Sequence, residues 1–97
     1  MAFDMYSGTK KESIAHYEEF IFSYVNQADE FSELKRICES YYRDPKLTPA
    51  QSNKIVHELI HIKTLLQNNH EQKIVDRLLL FFSYSYLHNE SVLCESD

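Results

Sequence analysis

Two histidines and a glutamate form the sharpest chemical pattern in this sequence. His57, Glu58 and His61 spell HExxH, in which zinc peptidases place two metal-binding histidines one helical turn apart and use the glutamate to activate a bound water. Such a site needs a third ligand, and no convincing one follows the motif. Lys54 and Lys63 flank the string, and the helix's apolar stripe falls on the opposite side, which predicts that both histidines face solvent. We predict surface histidines, no bound metal and no cofactor; a minimal HExxH metalloprotein is the least favoured alternative.

Other catalytic arrangements find less support in the residues. Glu58 and His61 also form an ExxH pair, but di-iron bundles need two such pairs and two further inward glutamates. A single glycine excludes a glycine-rich phosphate loop. No serine is marked out as a nucleophile. We therefore predict that the chain is not an enzyme.

The elements that carry these residues are predicted to be helices. The chain has 1 glycine and 2 prolines, whereas sheet proteins of this size need many tight turns that draw on glycine. Apolar residues recur at helical spacing along most of the chain. These features predict an all-α fold, a single four-helix bundle-like domain over residues 1–97. The predicted helices cover residues 10–27, 29–42, 49–68 and 71–88, followed by a polar, acidic tail over 89–97.

Helix ends are marked most clearly before the third helix. Thr48 and Gln51 form a capping box, and Pro49 occupies the first helical position. Asp29 is the predicted N-cap of the second helix. The fourth helix becomes apolar nearly all round from Leu78 onward, which predicts a central position or a surface under a partner. The predicted core includes Ile21, Leu34, Leu59, Leu66, Leu78 and Phe81.

Charge and hydropathy limit the partners. The formal net charge is −5, which repels phosphate backbones but attracts a basic protein. The longest nearly apolar run, residues 78–87, is about half of the roughly 20 residues that a membrane span requires. The first residues lack a basic start and an apolar signal segment. We predict a soluble, cytoplasmic protein with no direct contact to nucleic acid or membrane.

One segment resembles a known family. Residues 42–49 read Y-R-D-P-K-L-T-P and run into a helix that contains Glu58-Leu59. This resembles the Y-x-D-P-x-L-x-P … E-L stretch of small bacterial toxin-immunity proteins, including those paired with contact-dependent inhibition toxins. The resemblance implies a non-catalytic inhibitor that covers a toxin's active site or a nearby surface.

Partner-binding residues are expected on the second helix and the corner after it. Its acids lie off the apolar stripe, and tyrosines supply rigid contact area at interfaces. The candidates are Glu30, Glu33, Glu39, Tyr41, Tyr42 and Asp44. The expected partner is a basic cognate toxin domain, with a nuclease as one candidate, bound by a monomer or homodimer. The alternative is a helical adaptor or homo-oligomeric regulator that uses the fourth helix as its interface. A rival acidic face surrounds Glu18 and Glu19, near Phe22.

Overall fold

The chain folds as an α+β domain. The structure, a computed structural model, describes residues 2–15, 20–25, 31–40 and 43–96. The described elements are β1 (Ala2–Ser7), β2 (Lys10–Ala15), α1 (Phe20–Val25), α2 (Ser32–Glu39), β3 (Lys46–Leu47), α3 (Pro49–Leu65), α4 (Asn69–Leu87) and β4 (Val92–Ser96). The predicted all-α four-helix bundle is wrong, because both ends of the chain pair into one sheet.

The sheet is antiparallel, and its strand order is β2-β1-β4-β3. β4 lies between β1 and β3, with Met5 opposite Cys94 and Leu47 opposite Val92. Side chains alternate across the sheet: Met5, Val92 and Cys94 are buried, whereas Leu93 is exposed. The segment 89–97, predicted to be a polar tail, therefore supplies an interior strand. Burial raises the pKa of the Cys94 thiol to about 12, so it stays protonated and packs as a small apolar side chain.

The only glycine in the chain closes the first hairpin. β1 and β2 pair in register from Ala2 opposite Ala15 to Ser7 opposite Lys10, which leaves Gly8 and Thr9 as a two-residue turn. Gly8 has a φ of +58°, as the first central residue of a type II′ turn requires. One well-placed glycine thus meets the turn requirement that the sequence argument used against a sheet.

The predicted first and second helices are confirmed in part. Residues 10–15 of the predicted helix 10–27 are strand β2, and in the described part of that range the helix α1 covers Phe20–Val25. The predicted helix 29–42 shortens to Ser32–Glu39. Asp29, its predicted N-cap, lies outside the described residues. Phe31 occupies the N-cap position and makes no side-chain capping bond.

The ends of the two long helices, α3 and α4, are fixed by capping residues. Thr48 Oγ1 accepts the Gln51 amide at 3.2 Å, and Gln51 Oε1 accepts the Thr48 amide at 2.8 Å, which confirms the capping box. The Asn68 side chain caps the start of α4. α4 ends with Asn89 in the left-handed region, at a φ of 53°. The amide of Glu90 donates to the Ser85 carbonyl at 2.9 Å, closing a Schellman motif that turns the chain toward β4.

The core forms where the helices pack on the inner face of the sheet. All six predicted core side chains are buried, the most accessible being Phe81 at 5%. β1 adds Phe3 and Met5, and β4 adds Val92 and Cys94. The buried hydroxyls of Ser85 and Ser7, 2.7 Å apart, join α4 to β1. Among the described helices, none has both the length and the apolar character needed to cross a membrane.

Candidate functional site

Glu58, the glutamate of the HExxH string, caps helix α2, which lies more than 20 residues earlier in the chain. It is 8% exposed and points from α3 toward the first turn of α2. Its Oε2 accepts the amide of Glu33 at 3.1 Å, and its Oε1 accepts the amide of Leu34 at 3.0 Å. These amides are among the donors that a helix start leaves without intrahelical partners. A negative charge at this position is also favoured by the helix dipole. Glu58 therefore replaces the cap that Phe31 does not provide.

Glu33 lies in the same cluster, so the prediction that it faces outward is wrong. It is 5% exposed. Two cations flank it at ion-pair distance, beyond hydrogen-bonding range: Arg36 Nη1 is 3.8 Å from one carboxylate oxygen, and Lys54 Nζ is 3.9 Å from the other. Glu33 has this position because α2 turns its first-turn side chains toward α3. It cannot serve as a surface anchor for a partner.

The buried cluster changes the titration of Glu58. Burial raises its pKa above the ordinary value of 4.5, and the neighbouring Glu33 carboxylate adds to the increase. The amides of Leu34 and Glu33 and the ammonium of Lys54 act in the opposite direction without cancelling it. The folded protein therefore binds this proton more tightly than the unfolded chain does.

This shift predicts a specific pH dependence of stability. Because the folded pKa of Glu58 is raised, its contribution is fully present below 4.5 and is lost as the pH rises through the raised value. Urea unfolding from pH 4.5 upward should therefore show the wild-type chain losing stability relative to Glu58→Gln. Glu58→Gln, which cannot titrate, should remove that component. Parallel pH profiles for the two proteins would contradict the assignment.

The two histidines do not share the buried environment of Glu58. His57 and His61 are exposed, and the His61 ring meets the ring of Phe31 edge-on, with 5.4 Å between centroids. The carboxylate between them in sequence is turned into the α2–α3 junction, where backbone amides hold both of its oxygens. In the described part of the chain, no group of three or more His, Cys, Asp or Glu side chains converges on a common point. The structure thus gives Glu58 a capping role.

Zinc content tests the prediction that His57 and His61 are surface histidines that bind no metal. We expect protein purified without added metal to carry less than stoichiometric zinc, and its melting temperature to be unchanged by EDTA. His57→Ala/His61→Ala should melt at nearly the wild-type temperature, since both side chains are exposed. One zinc per chain, bound at micromolar or tighter affinity, would contradict the prediction of metal-free surface histidines and support a metalloprotein.

The other predicted partner-binding residues are not brought together by described contacts. Glu39, at the end of α2, and Asp44, before β3, are both exposed. Glu30, Tyr41 and Tyr42 lie outside the described residues. Among the candidates that the structure describes, Glu39 and Asp44 are thus exposed on the surface and Glu33 is buried.

Helix α4 presents an exposed apolar stripe. Leu80 is 75% exposed and Leu87 is 78% exposed. They are seven residues apart and therefore lie on the same helix face, with half-buried Tyr84 between them. Large apolar side chains grouped on a surface mark binding sites more often than scattered ones do. The sequence indicated this region through the run of apolar residues after Leu78, but it did not show which side chains stay exposed.

A groove lies beside this stripe, between α4 and strand β2. It encloses a cavity of about 430 Å³. β2 contributes Lys10, Lys11 and Glu12, and α4 contributes Arg77, Leu80, Phe81 and Tyr84. This site was missed in the sequence because residues 10–15 were predicted to be helical. The available signal was the pair Lys10-Lys11, two adjacent cations in an acidic chain.

An ion pair holds one wall of the groove in place. Arg77 Nε is 3.0 Å from Glu12 Oε1, and an Arg77 terminal nitrogen donates to the Ser13 carbonyl at 3.1 Å. Glu12 Oε1 also accepts the Ser13 amide at 3.0 Å. Both backbone polar groups of Ser13 are therefore satisfied by side chains. The Lys10 ammonium lies 5.6 Å from the centre of the Tyr84 ring, within cation–π range.

Comparison with known proteins finds no relative from which a function could be inferred, so the function is proposed from the groove and the exposed stripe. No family model matches the chain, and neither a curated protein nor a solved structure is significantly similar to it.

Proposed function

We propose that this chain is a non-catalytic protein of the cytoplasm that binds a toxin domain and neutralises it. The observation that carries the proposal is the exposed apolar stripe of α4, with Leu80 and Leu87 each more than 70% accessible. A partner that covers these side chains would remove them from water, which favours association by about 25 cal/mol for each Å² of apolar surface buried. Tyr84 between them supplies the rigid aromatic area that interface centres use.

Net charge supports the choice of partner. The chain carries a formal charge of −5, so it attracts a basic domain over long range and raises the rate of encounter. Glu39 and Asp44 present carboxylates at the surface. A nuclease domain has a basic surface that binds the phosphates of nucleic acid, and these carboxylates would bind to that surface in place of the phosphates. The resemblance of residues 42–49 to toxin-immunity proteins supports the same choice.

Protection of cells from a toxin encoded beside this gene tests the proposal. We expect co-expression of the wild-type chain to restore growth, and Leu80→Asp/Leu87→Asp to abolish protection without lowering the melting temperature. Leu65→Asp is the matched control, because Leu65 is an exposed leucine on α3, 48% accessible and outside the stripe. Full protection by the double variant would contradict the role of α4. Failure of the wild-type chain to protect would contradict the toxin partner.

Association kinetics test the electrostatic part separately. The association rate should fall as ionic strength rises, because charges beyond about 10 Å are screened at 0.1 M salt. Glu39→Lys should slow association and leave stability unchanged, since its side chain is exposed. Glu33→Lys does not provide this test, because Glu33 is buried and the change would disturb the fold. An association rate independent of salt would contradict steering by charge.

The same stripe favours one other function, a homo-oligomeric regulator in which α4 pairs with a second copy. Light scattering separates the two. A wild-type dimer that Leu80→Asp converts to a monomer would support the regulator, whereas a monomer at high concentration would support the toxin-binding role.

A further inference from the structure

The groove between β2 and α4 differs in charge from the rest of the chain. Lys10 and Arg77 line it beside one carboxylate, Glu12, which is already engaged by Arg77. The side chain of Lys11, the next residue of β2, extends to the opposite face of the strand. In the described part of the chain, the close partners of the two lysines are aromatic rings: Tyr84 for Lys10 and Tyr6 for Lys11, at 5.6 Å and 5.4 Å. A chain of net charge −5 thus places two lysines side by side on this edge strand, one on each face.

The groove has an apolar component next to this charge. Leu80 and Phe81 line it from α4, and Leu80 continues into the exposed stripe that reaches Leu87. The recognition surface is therefore longer than the cavity itself. Its length and its combination of cations with apolar side chains suit a polypeptide better than a compact small molecule.

Strand β2 adds backbone groups along the same edge. It is the outermost strand of the sheet, and β1 is its pairing partner among the described strands. Since Ser7 and Lys10 close the two-residue turn, hydrogen bonding along the hairpin alternates, and the amide and carbonyl of Lys11 and Ser13 point away from β1. Glu12 and Arg77 satisfy those of Ser13. Within the described residues the amide and carbonyl of Lys11 therefore lie on the open edge of the sheet, where an added strand could bond to them.

We propose that this groove binds an extended segment of the partner protein in which carboxylate side chains stand beside apolar ones. An added strand also alternates its side chains, so one carboxylate pairs with Lys10 on the groove side and another with Lys11 on the opposite face. An apolar side chain packs on Leu80, and the segment's backbone bonds to Lys11. The proposal rests on the proposed protein-binding function and names the segment that this part of the surface takes. A basic toxin domain can carry such a segment. Salt screens charges that are more than about 10 Å apart, so the lysines interact with the segment and not with the partner's distant positive charges.

Selection of short displayed peptides tests the proposal with probes of known sequence. Random peptides would be selected on the full chain, and the enriched ones measured by fluorescence anisotropy against three proteins: wild type, Lys10→Glu/Lys11→Glu and Lys46→Glu/Lys73→Glu. The last pair is the matched control, because both lysines are exposed, lie outside the groove and give the same change in net charge.

We expect enrichment of peptides that combine acidic and apolar residues, with binding at least about tenfold weaker for Lys10→Glu/Lys11→Glu and within about twofold of wild type for the control. Enrichment of basic peptides, equal weakening by both variants, or no enrichment above background would overturn the proposal. Displacement of the peptides by acetate or phosphate at similar affinity would show a small-anion site and overturn it as well.

These outcomes are separable from those of the proposed function. Loss of protection in Leu80→Asp/Leu87→Asp, together with peptide binding that ignores Lys10→Glu/Lys11→Glu, would leave the toxin-binding role standing and remove the groove from it. Selective peptide binding in a chain that protects against no toxin would do the reverse.

Discussion

Deletion of the chain from residue 92 onward is expected to unfold the domain. β4 pairs with β1 from Phe3 opposite Ser96 to Tyr6 opposite Leu93, and it pairs with β3 on its other side. Its loss would leave two strands without their shared neighbour and would expose the cavity that Val92 and Cys94 fill. The free energy of unfolding of a domain of this size is about 5–15 kcal/mol, and we expect the loss of β4 to exceed it. Removal of a true polar tail would instead be tolerated.

Point variants in the same strand give the control for this deletion. Val92 is fully buried, and its neighbour Leu93 is 53% exposed. Val92→Asp places a charge in the core without a partner, so we expect a loss of at least about 3 kcal/mol or complete unfolding in a urea titration. Leu93→Asp should change the free energy of unfolding by about 0.5 kcal/mol or less. Similar effects at both positions would contradict an alternating strand.

Leu78→Ala is expected to cost about 2–5 kcal/mol of stability. Leu78 is 1% exposed and lies on the face of α4 that packs into the core. Its truncation removes apolar contacts and leaves a cavity that the surrounding helices and sheet fill only in part.

A matched control lies two residues further along the same helix. Leu80→Ala makes the same chemical change at a position that is 75% exposed, so urea unfolding should change by about 0.5 kcal/mol or less. A large loss at Leu80 with a small one at Leu78 would contradict the orientation of α4, and with it the exposed stripe.

The parts of the fold that sequence reasoning predicted are those encoded by short-range signals. Helix α3 begins where Thr48, Pro49 and Gln51 predict, because all three act within one turn. α4 runs over Asn69–Leu87, close to the predicted 71–88, because a long apolar pattern specifies it. The six core residues were identified because they repeat at helical spacing or stand in a dense apolar run.

The strands were missed because their stability depends on residues far away in the chain. Lys10–Ala15 contains good helix formers, and its pairing with β1 overrides that preference. β4 looks like a polar tail in the sequence because Glu95 and Ser96 are polar. The alternation of Val92 and Cys94 with Leu93 indicates a strand only when β1 is known to lie beside it. The scarcity of glycine does not exclude this sheet, because the two-residue hairpin needs only one glycine, at Gly8.

In the candidate site, too, features that depend on nearby residues were predicted and features that depend on distant contacts were missed. The exposure of His57 and His61 follows from the helical wheel and was correctly predicted. The burial of Glu33 and the capping role of Glu58 depend on a contact across 25 residues, which no local pattern contains. The groove required β2 and α4 to be adjacent, so a sequence assigned to four helices could not place it.

Cross-strand contacts measured by NMR test the central structural claim most directly, since the groove and the stripe both depend on this sheet. The structure predicts nuclear Overhauser effects between the backbones of Met5 and Cys94 and of Leu47 and Val92, with slow amide exchange in β4. Fast exchange over residues 92–96, without contacts to β1, would show that these residues form a tail and would contradict the account.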